Sequence, residues 1–300
     1  MSKKMMKKIV CNTLAVLSAS ACLGLATACE TAHPEVEMTI TFNGEEYKLE
    51  YQLYRKVAPS TTEHFMWLVD NDYYNGLCVH NYDDAGSKMY TGAYSVATAA
   101  DDADGIEYKE YYKTIAGFED YANFPVSVWQ DAEKTKPLYS VYGEFETNGF
   151  SVTNGAKKQE YGSLTMYYLD KDTKAKAYAP YLSEEKAGQV ATREYKYNSA
   201  TSQFYISLSQ TASTNSKYCT FATLKEDSVE VLQDLQEAIA DYVAENYEVE
   251  DGESAISEFT TKHSVAVDVD DPYATSKTKT QNFLVPNEPI VITDITVTKY

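Results

Sequence analysis

Apolar and polar residues alternate with period two over the first stretch that reads as structure. Val36, Met38, Ile40 and Phe42 alternate with Glu37, Thr39 and Thr41, and Tyr47, Leu49, Tyr51 and Leu53 alternate with Lys48, Glu50 and Gln52. Asn43-Gly44 lies between the two runs, a pair that accepts the positive φ angles of a two-residue turn, so the pattern predicts a β-hairpin. Ala58-Pro59 then opens a helix whose apolar face is Phe65, Leu68 and Val69, with Ser60 and Glu63 at capping-box spacing. The period changes to that of a helix again from about Ser228 to Asn246. Val231, Leu232, Leu235, Ile239, Tyr242 and Val243 form its buried stripe, and Asp227 is the expected N-cap. Ile290 to Val297 reads as a final strand. Strands dominate and do not alternate regularly with helices, which predicts a mainly β fold: a closed antiparallel barrel with a helix at each mouth.

The N-terminus is organised differently. Lys3, Lys4, Lys7 and Lys8 precede an apolar run from Ile9 to Ala28 that carries no acid, the pattern of a secretory signal over residues 1–28. The run is long enough to span a bilayer, but Asn12, Thr13, Ser18 and Ser20 thin its hydrophobicity, which favours a cleaved signal over a permanent anchor. Its exit, Leu25-Ala26-Thr27-Ala28-Cys29, resembles a bacterial lipoprotein box with Cys29 as the lipidated residue, although Ala26 stands where leucine is usual; Cys22 is a weaker second candidate, and Ala26-Thr27-Ala28 also reads as an ordinary A-x-A cleavage site. Export followed by anchoring to the outer face of the cell membrane is the expectation, with residues 29–35 as tether and 36–300 as the folded domain.

Composition narrows the function classes. The 300 residues hold 45 acidic against 26 basic side chains, a formal charge of −19. Removing residues 1–28 takes four lysines and no acid, leaving 22 positive against 45 negative groups. Such a chain repels phosphate backbones, so nucleic-acid binding is excluded. The 44% hydrophobic content supports a full core, and 27 tyrosines are a large excess. Cys78 and Cys219 remain after export and read as two unpaired, half-buried thiols. The four histidines have no metal-ligand spacing, Asp101–Gly105 lacks the frame of a calcium loop, and nothing calls for a cofactor.

Four stretches, in order, carry a resemblance. Val57-Ala58-Pro59-Ser60-Thr61-Thr62-Glu63-His64-Phe65 is similar to the entry of the first helix of cyclophilin-type peptidyl-prolyl isomerases, and Tyr73 to His80 to the strand that follows. Gly143 to Phe150 with Gly162 to Met166, and Asn198 to Ile206, are similar to two later segments of that family. The resemblance implies an eight-stranded barrel with two helices, here enlarged by insertions at about 97–138, 169–197 and 248–286. It also implies isomerisation of Xaa-Pro bonds, whose barrier is about 20 kcal/mol.

In the family an arginine donates toward the prolyl nitrogen, which localises the amide lone pair and stabilises the twisted transition state. Asn81 stands at that position, and an amide has neither the charge nor the fork of a guanidinium. By the same resemblance Met89, Thr91, Tyr167, Tyr168, Gln203, Tyr205, Ser213, Thr214, Tyr218 and Phe221 line the substrate groove. Several of these depart from the family's residues, with Ser213-Thr214 for a Trp-Leu pair and Tyr218 for a histidine. The only arginines are Arg55, where the family has no site, and Arg193, in an insertion.

Two readings follow. One is a foldase of weak activity acting on exported proteins. The other is a non-catalytic module that binds proline-containing or extended polypeptide, glycan or an envelope partner through the altered groove and the tyrosine-rich insertions. For the insertion tyrosines Tyr108, Tyr111, Tyr112 and Tyr121, with Trp129, packing onto the barrel competes with a ligand surface.

Overall fold

The computed structural model describes residues 31–97, 105–115, 127–129, 137–146, 157–170, 178–182, 190–194, 197–214, 218–247, 258–268 and 278–300. The signal segment and the lipidation candidate Cys29 lie outside these residues, as do Asp101–Asp104 and Tyr121. Among the described residues no helix is long and apolar enough to cross a membrane.

In chain order the strands are β1 (Glu35–Phe42), β2 (Glu45–Leu53), β3 (Leu77–Cys78), β4 (Asn81–Asp83), β5 (Lys88–Thr91), β6 (Tyr94–Val96), β7 (Ile106–Tyr108), β8 (Ser127–Trp129) and β9 (Pro137–Tyr142). They continue with β10 (Leu164–Asp170), β11 (Tyr178–Leu182), β12 (Val190–Glu194), β13 (Tyr197–Ser207), β14 (Cys219–Leu224), β15 (Thr260–Asp268), β16 (Thr278–Pro286) and β17 (Val291–Lys299). Helix α1 spans Pro59–Asp70, α2 is the single turn Tyr111–Thr114, and α3 spans Val229–Asn246.

The main sheet curls back on itself. Its antiparallel path runs β13-β10-β14-β2-β1-β17-β3, and β3 leads through Val79 and His80 into β4. There β4 pairs with β5, and β5 pairs with the starting strand β13. Strands β6 and β7 extend the sheet beyond β3, while β9, β8, β11 and β12 extend it beyond β13. The fold is therefore mainly β with two long helices, as the alternation and the resemblance predict. The first hairpin forms as its turn dictates: Asn43 and Gly44 take φ of 47° and 81°, and Phe42 faces Glu45 across the ladder.

Period-two alternation sends one side chain of each pair inward. Val36, Met38, Ile40, Leu49, Tyr51, Leu164, Met166, Phe204 and Ile206 meet in one core, with Phe65 of α1 at its centre. The Phe65 ring lies 5.0 Å from that of Phe221 and 5.6 Å from that of Phe204. Helix α3 buries Leu232, Leu235, Ile239 and Val243 on the same core, with Val231 and Tyr242 partly covered beside them.

The helix starts differ from expectation. Ala58, not Ser60, is the N-cap of α1, and no side chain of its own segment caps it. The buried carboxylate of Glu144 does so instead, accepting the Ser60 and Thr61 N–H groups at 2.9 Å each. An anion at a helix N-terminus answers both the orphan donors and the dipole. Burial raises the Glu144 pKa, and the bonds from Thr61 and Ser60 oppose that rise. Likewise α3 begins after a 3-10 turn (Glu226–Ser228), so Asp227 lies within that turn and is not its cap. Ser228 is the N-cap residue, and its hydroxyl accepts the Glu50 N–H at 2.9 Å instead of capping the helix.

Cys78 and Cys219 are both free, and both are fully buried rather than half-buried. Burial pushes the Cys78 thiol up to about 12, which makes it a core side chain and not a nucleophile.

Candidate functional site

Strands β4, β5, β13 and β10 present one face to the core and the other outward. Cross-strand register decides which residue shows on which side. Asn81 pairs with Tyr90 and Tyr90 with Tyr205, so these three share the outer face. Tyr167 and Tyr218 complete it. The Tyr90 ring stands 5.2 Å from Tyr205 and 5.8 Å from Tyr167, and Tyr205 stands 6.0 Å from Tyr218. Tyr205 is fully buried beneath the others, while Tyr90, Tyr167 and Tyr218 are partly exposed. Lys88 lies over this group, its ammonium 5.0 Å from the Tyr205 ring centre and 5.7 Å from that of Tyr218. Burial raises the Tyr90 pKa, with Asp83 adding to the rise, so Tyr90 presents a neutral phenol.

Not every residue expected in the groove reaches it. Met89 and Thr91 flank Tyr90, and the alternation that turns Tyr90 out turns them in. Met89 is fully buried in the main core, and the Thr91 hydroxyl donates to the Cys78 carbonyl at 2.9 Å. Phe221 also faces inward, against Phe65. Gln203, two residues from Tyr205, shares its side of β13 and is largely buried. Ser213 bridges to Gln159 through paired backbone bonds of 2.8 and 2.9 Å, and Ser213 and Thr214 are exposed. Tyr168 sits in β10 past a bulge, opposite Ser199.

Tyr90 and Lys88 were the residues that family spacing missed. The alternation Lys-Met-Tyr-Thr carries a signal for them, because an apolar Met89 in a half-buried strand belongs on the inner face.

Beside the tyrosines lies Asn81, the residue that the resemblance aligns with the family's arginine. Asn81 Oδ1 accepts the backbone N–H of Leu284, in β16, at 2.8 Å. Strands β15 and β16 form a separate two-stranded sheet paired from Thr260↔Pro286 to Asp268↔Thr278. Its base is anchored where Phe259 packs among Phe42, Tyr82, Tyr242 and Tyr247. Its side is anchored by Phe283, whose ring lies 5.0 Å from His80 and 5.2 Å from Tyr94. Phe283 and Val285 form a second small core with Cys78, Ala93, Tyr94 and Ile106. Asn81 thus serves as a dock for a strand of its own chain.

His80, next to Asn81, is enclosed by these rings. Burial alone lowers its pKa to about 3, and its Nδ1 has no hydrogen-bond partner among the described residues. It is a neutral packing residue and not an acid–base group.

Neither arginine reaches this face through described contacts. Arg55 binds toward α1, 3.9 Å from the Glu63 carboxylate and 3.7 Å from the Met66 sulfur. Arg193 lies in β12, four strands along the sheet path from β13. Of the insertion tyrosines, Tyr111 is buried against His64 and Tyr73, and Tyr108 packs on Tyr94, which is the packing role. Among the described residues no group of three or more His, Cys, Asp or Glu could hold a metal ion.

Comparison with known proteins places this arrangement. The family model "Cyclophilin type peptidyl-prolyl cis-trans isomerase/CLD" matches residues 37–254, well over half of the chain. No curated protein matches the sequence. Among solved structures, the chain is similar to the cyclophilin type peptidyl-prolyl cis-trans isomerase of Cryptosporidium parvum at 16% identity and a TM-score of 0.40. That match covers 89% of this chain and 99% of the other. The same Cryptosporidium protein in the presence of the dipeptide Ala-Pro gives 16% identity, the same coverage and a TM-score of 0.38. The Mimivirus cyclophilin gives 16% identity, 75% and 84% coverage, and a TM-score of 0.35.

Proposed function

The chain belongs to the cyclophilin-type peptidyl-prolyl cis-trans isomerase family, and from that membership we propose that it has kept the barrel but not efficient catalysis. In this reading it is an exported lipoprotein, anchored through Cys29 to the outer face of a bacterial membrane. It binds extended or proline-containing polypeptide on its tyrosine face. The observation that carries the loss of catalysis is the Asn81 amide bonded to Leu284 N–H. The group that should donate toward a prolyl nitrogen is neutral, and one of its polar atoms is engaged by the chain itself. A binding role is supported by Tyr90, Tyr167 and Tyr218, partly exposed on a rigid sheet. Tyrosines offer large amphipathic contact area with little rotamer entropy to lose, and proline rings pack well on aromatic faces.

Titrating the exported chain against a fluorescently labelled proline-rich peptide tests this reading by polarisation. Tyr218→Ala is expected to weaken binding about tenfold, the loss of one aromatic contact worth roughly 1.4 kcal/mol. Affinity unchanged by Tyr218→Ala and by Tyr167→Ala would place any peptide elsewhere on the molecule.

A further inference from the structure

Lys88 is the one cation whose ammonium lies over the tyrosine face among the described residues, and its surroundings are unusual for this protein. With 45 acidic side chains in the sequence, several described lysines have found a carboxylate, as Lys225 has with Glu35 and Glu50 at 3.1 and 2.6 Å. Lys88 has none within ion-pair distance among the described residues. Asp83 stands directly opposite it in the β4–β5 ladder, but the Asp83 carboxylate accepts the Gly86 N–H at 2.8 Å. Lys88 instead rests over Tyr205 and Tyr218. A cation held on π faces keeps its hydrogen-bond donors available to a further acceptor.

We infer that the tyrosine face selects acidic segments: extended polypeptide in which a Glu or Asp carboxylate meets Lys88 while a neighbouring proline or apolar side chain packs on Tyr90, Tyr167 and Tyr218. This rests on the reading of that face as a polypeptide-binding surface and adds its charge preference. Charge complementarity supplies the argument. Among the described residues a single ammonium, that of Lys88, lies over these rings, positioned by β5 on the same outer face. The protein's net negative charge repels acidic ligands elsewhere, so Lys88 directs such a segment to this spot. The contact is partly exposed and screened, so selectivity falls as salt rises.

The test uses the exported chain and three labelled peptides of equal length, (Glu-Pro)5, (Gln-Pro)5 and (Lys-Pro)5, measured by polarisation at low and high salt. The expected order is Glu over Gln over Lys, with about a tenfold step from Glu to Gln, the size of one charge-assisted hydrogen bond. Lys88→Glu is expected to reverse that order, and Lys88→Gln to abolish it, while circular dichroism of both variants stays that of the parent. Equal affinity for the Glu and Gln peptides overturns the inference and leaves a charge-blind peptide site standing. No binding of any peptide overturns the site as well. Binding of a glucuronate oligosaccharide without binding of any peptide overturns both in favour of a glycan.

Discussion

Asn81→Arg is expected to restore almost no isomerase activity, with turnover on a Xaa-Pro peptide remaining at least about 100-fold below that of a family member with an intact groove. Removing one transition-state donor typically costs 10²- to 10³-fold, so a site lacking only its arginine should recover by that factor. This site lacks more. A guanidinium has no acceptor, so Leu284 N–H loses its partner and β16 loses one tie to β4. The new side chain must also emerge beside a hairpin seated through Phe283 and Phe259. Across the outer face the Tyr90 ring packs against Tyr205. The variant is expected to lose up to about 1 kcal/mol of stability, the worth of one hydrogen bond. A rate restored to that of ordinary family members would show that the hairpin and the tyrosines leave the groove functional.

A second large effect follows from His80. Its folded pKa of about 3 lies below the ordinary value of 6.5 because burial among Tyr94 and Phe283 excludes the charged form. The unfolded chain takes up this proton as pH falls below 6.5, and the folded chain does not until about 3. Stability contributed by the neutral ring is therefore complete above 6.5 and declines on acidification, by about 1.4 kcal/mol per pH unit. The full window corresponds to roughly 5 kcal/mol, on the order of a domain's whole net stability. Urea denaturation at pH 7 and pH 4 reads the part of that window above pH 4, about 3.4 kcal/mol. His80→Phe, which keeps an aromatic ring in the same enclosure, is expected to remove most of the difference. An equal loss in variant and parent would assign the acid sensitivity to carboxylates elsewhere.

What the sequence disclosed was local. Asn43-Gly44 between two alternating runs determines the first hairpin through the φ angles of two residues, and the stripe of α3 is a property of one helix. What it concealed depends on partners far away in the chain. The cap of α1 comes from Glu144, 84 residues from Ser60, so a local capping box was the wrong place to look. The inward turn of Met89 and Thr91 depends on how β5 meets β13, and one residue of register exchanges the faces. Likewise, no spacing rule brings Leu284 to Asn81 across 203 positions. The resemblance singles out Asn81 as one residue; its role as a dock depends on the pairing of β15 with β16. The tyrosine excess divides in the same way. Tyr51, Tyr74, Tyr94 and Tyr111 fill the interior, and Tyr90, Tyr167 and Tyr218 face outward.

The central claim is that a cyclophilin barrel persists here without an efficient isomerase. It is tested most directly by NMR exchange measurement of cis–trans interconversion in a Xaa-Pro peptide, with the protein present at stoichiometric concentration. The predicted result is that interconversion stays near the uncatalysed timescale of tens to hundreds of seconds, even where the peptide is visibly bound. Interconversion accelerated to the extent given by an intact family member would contradict it.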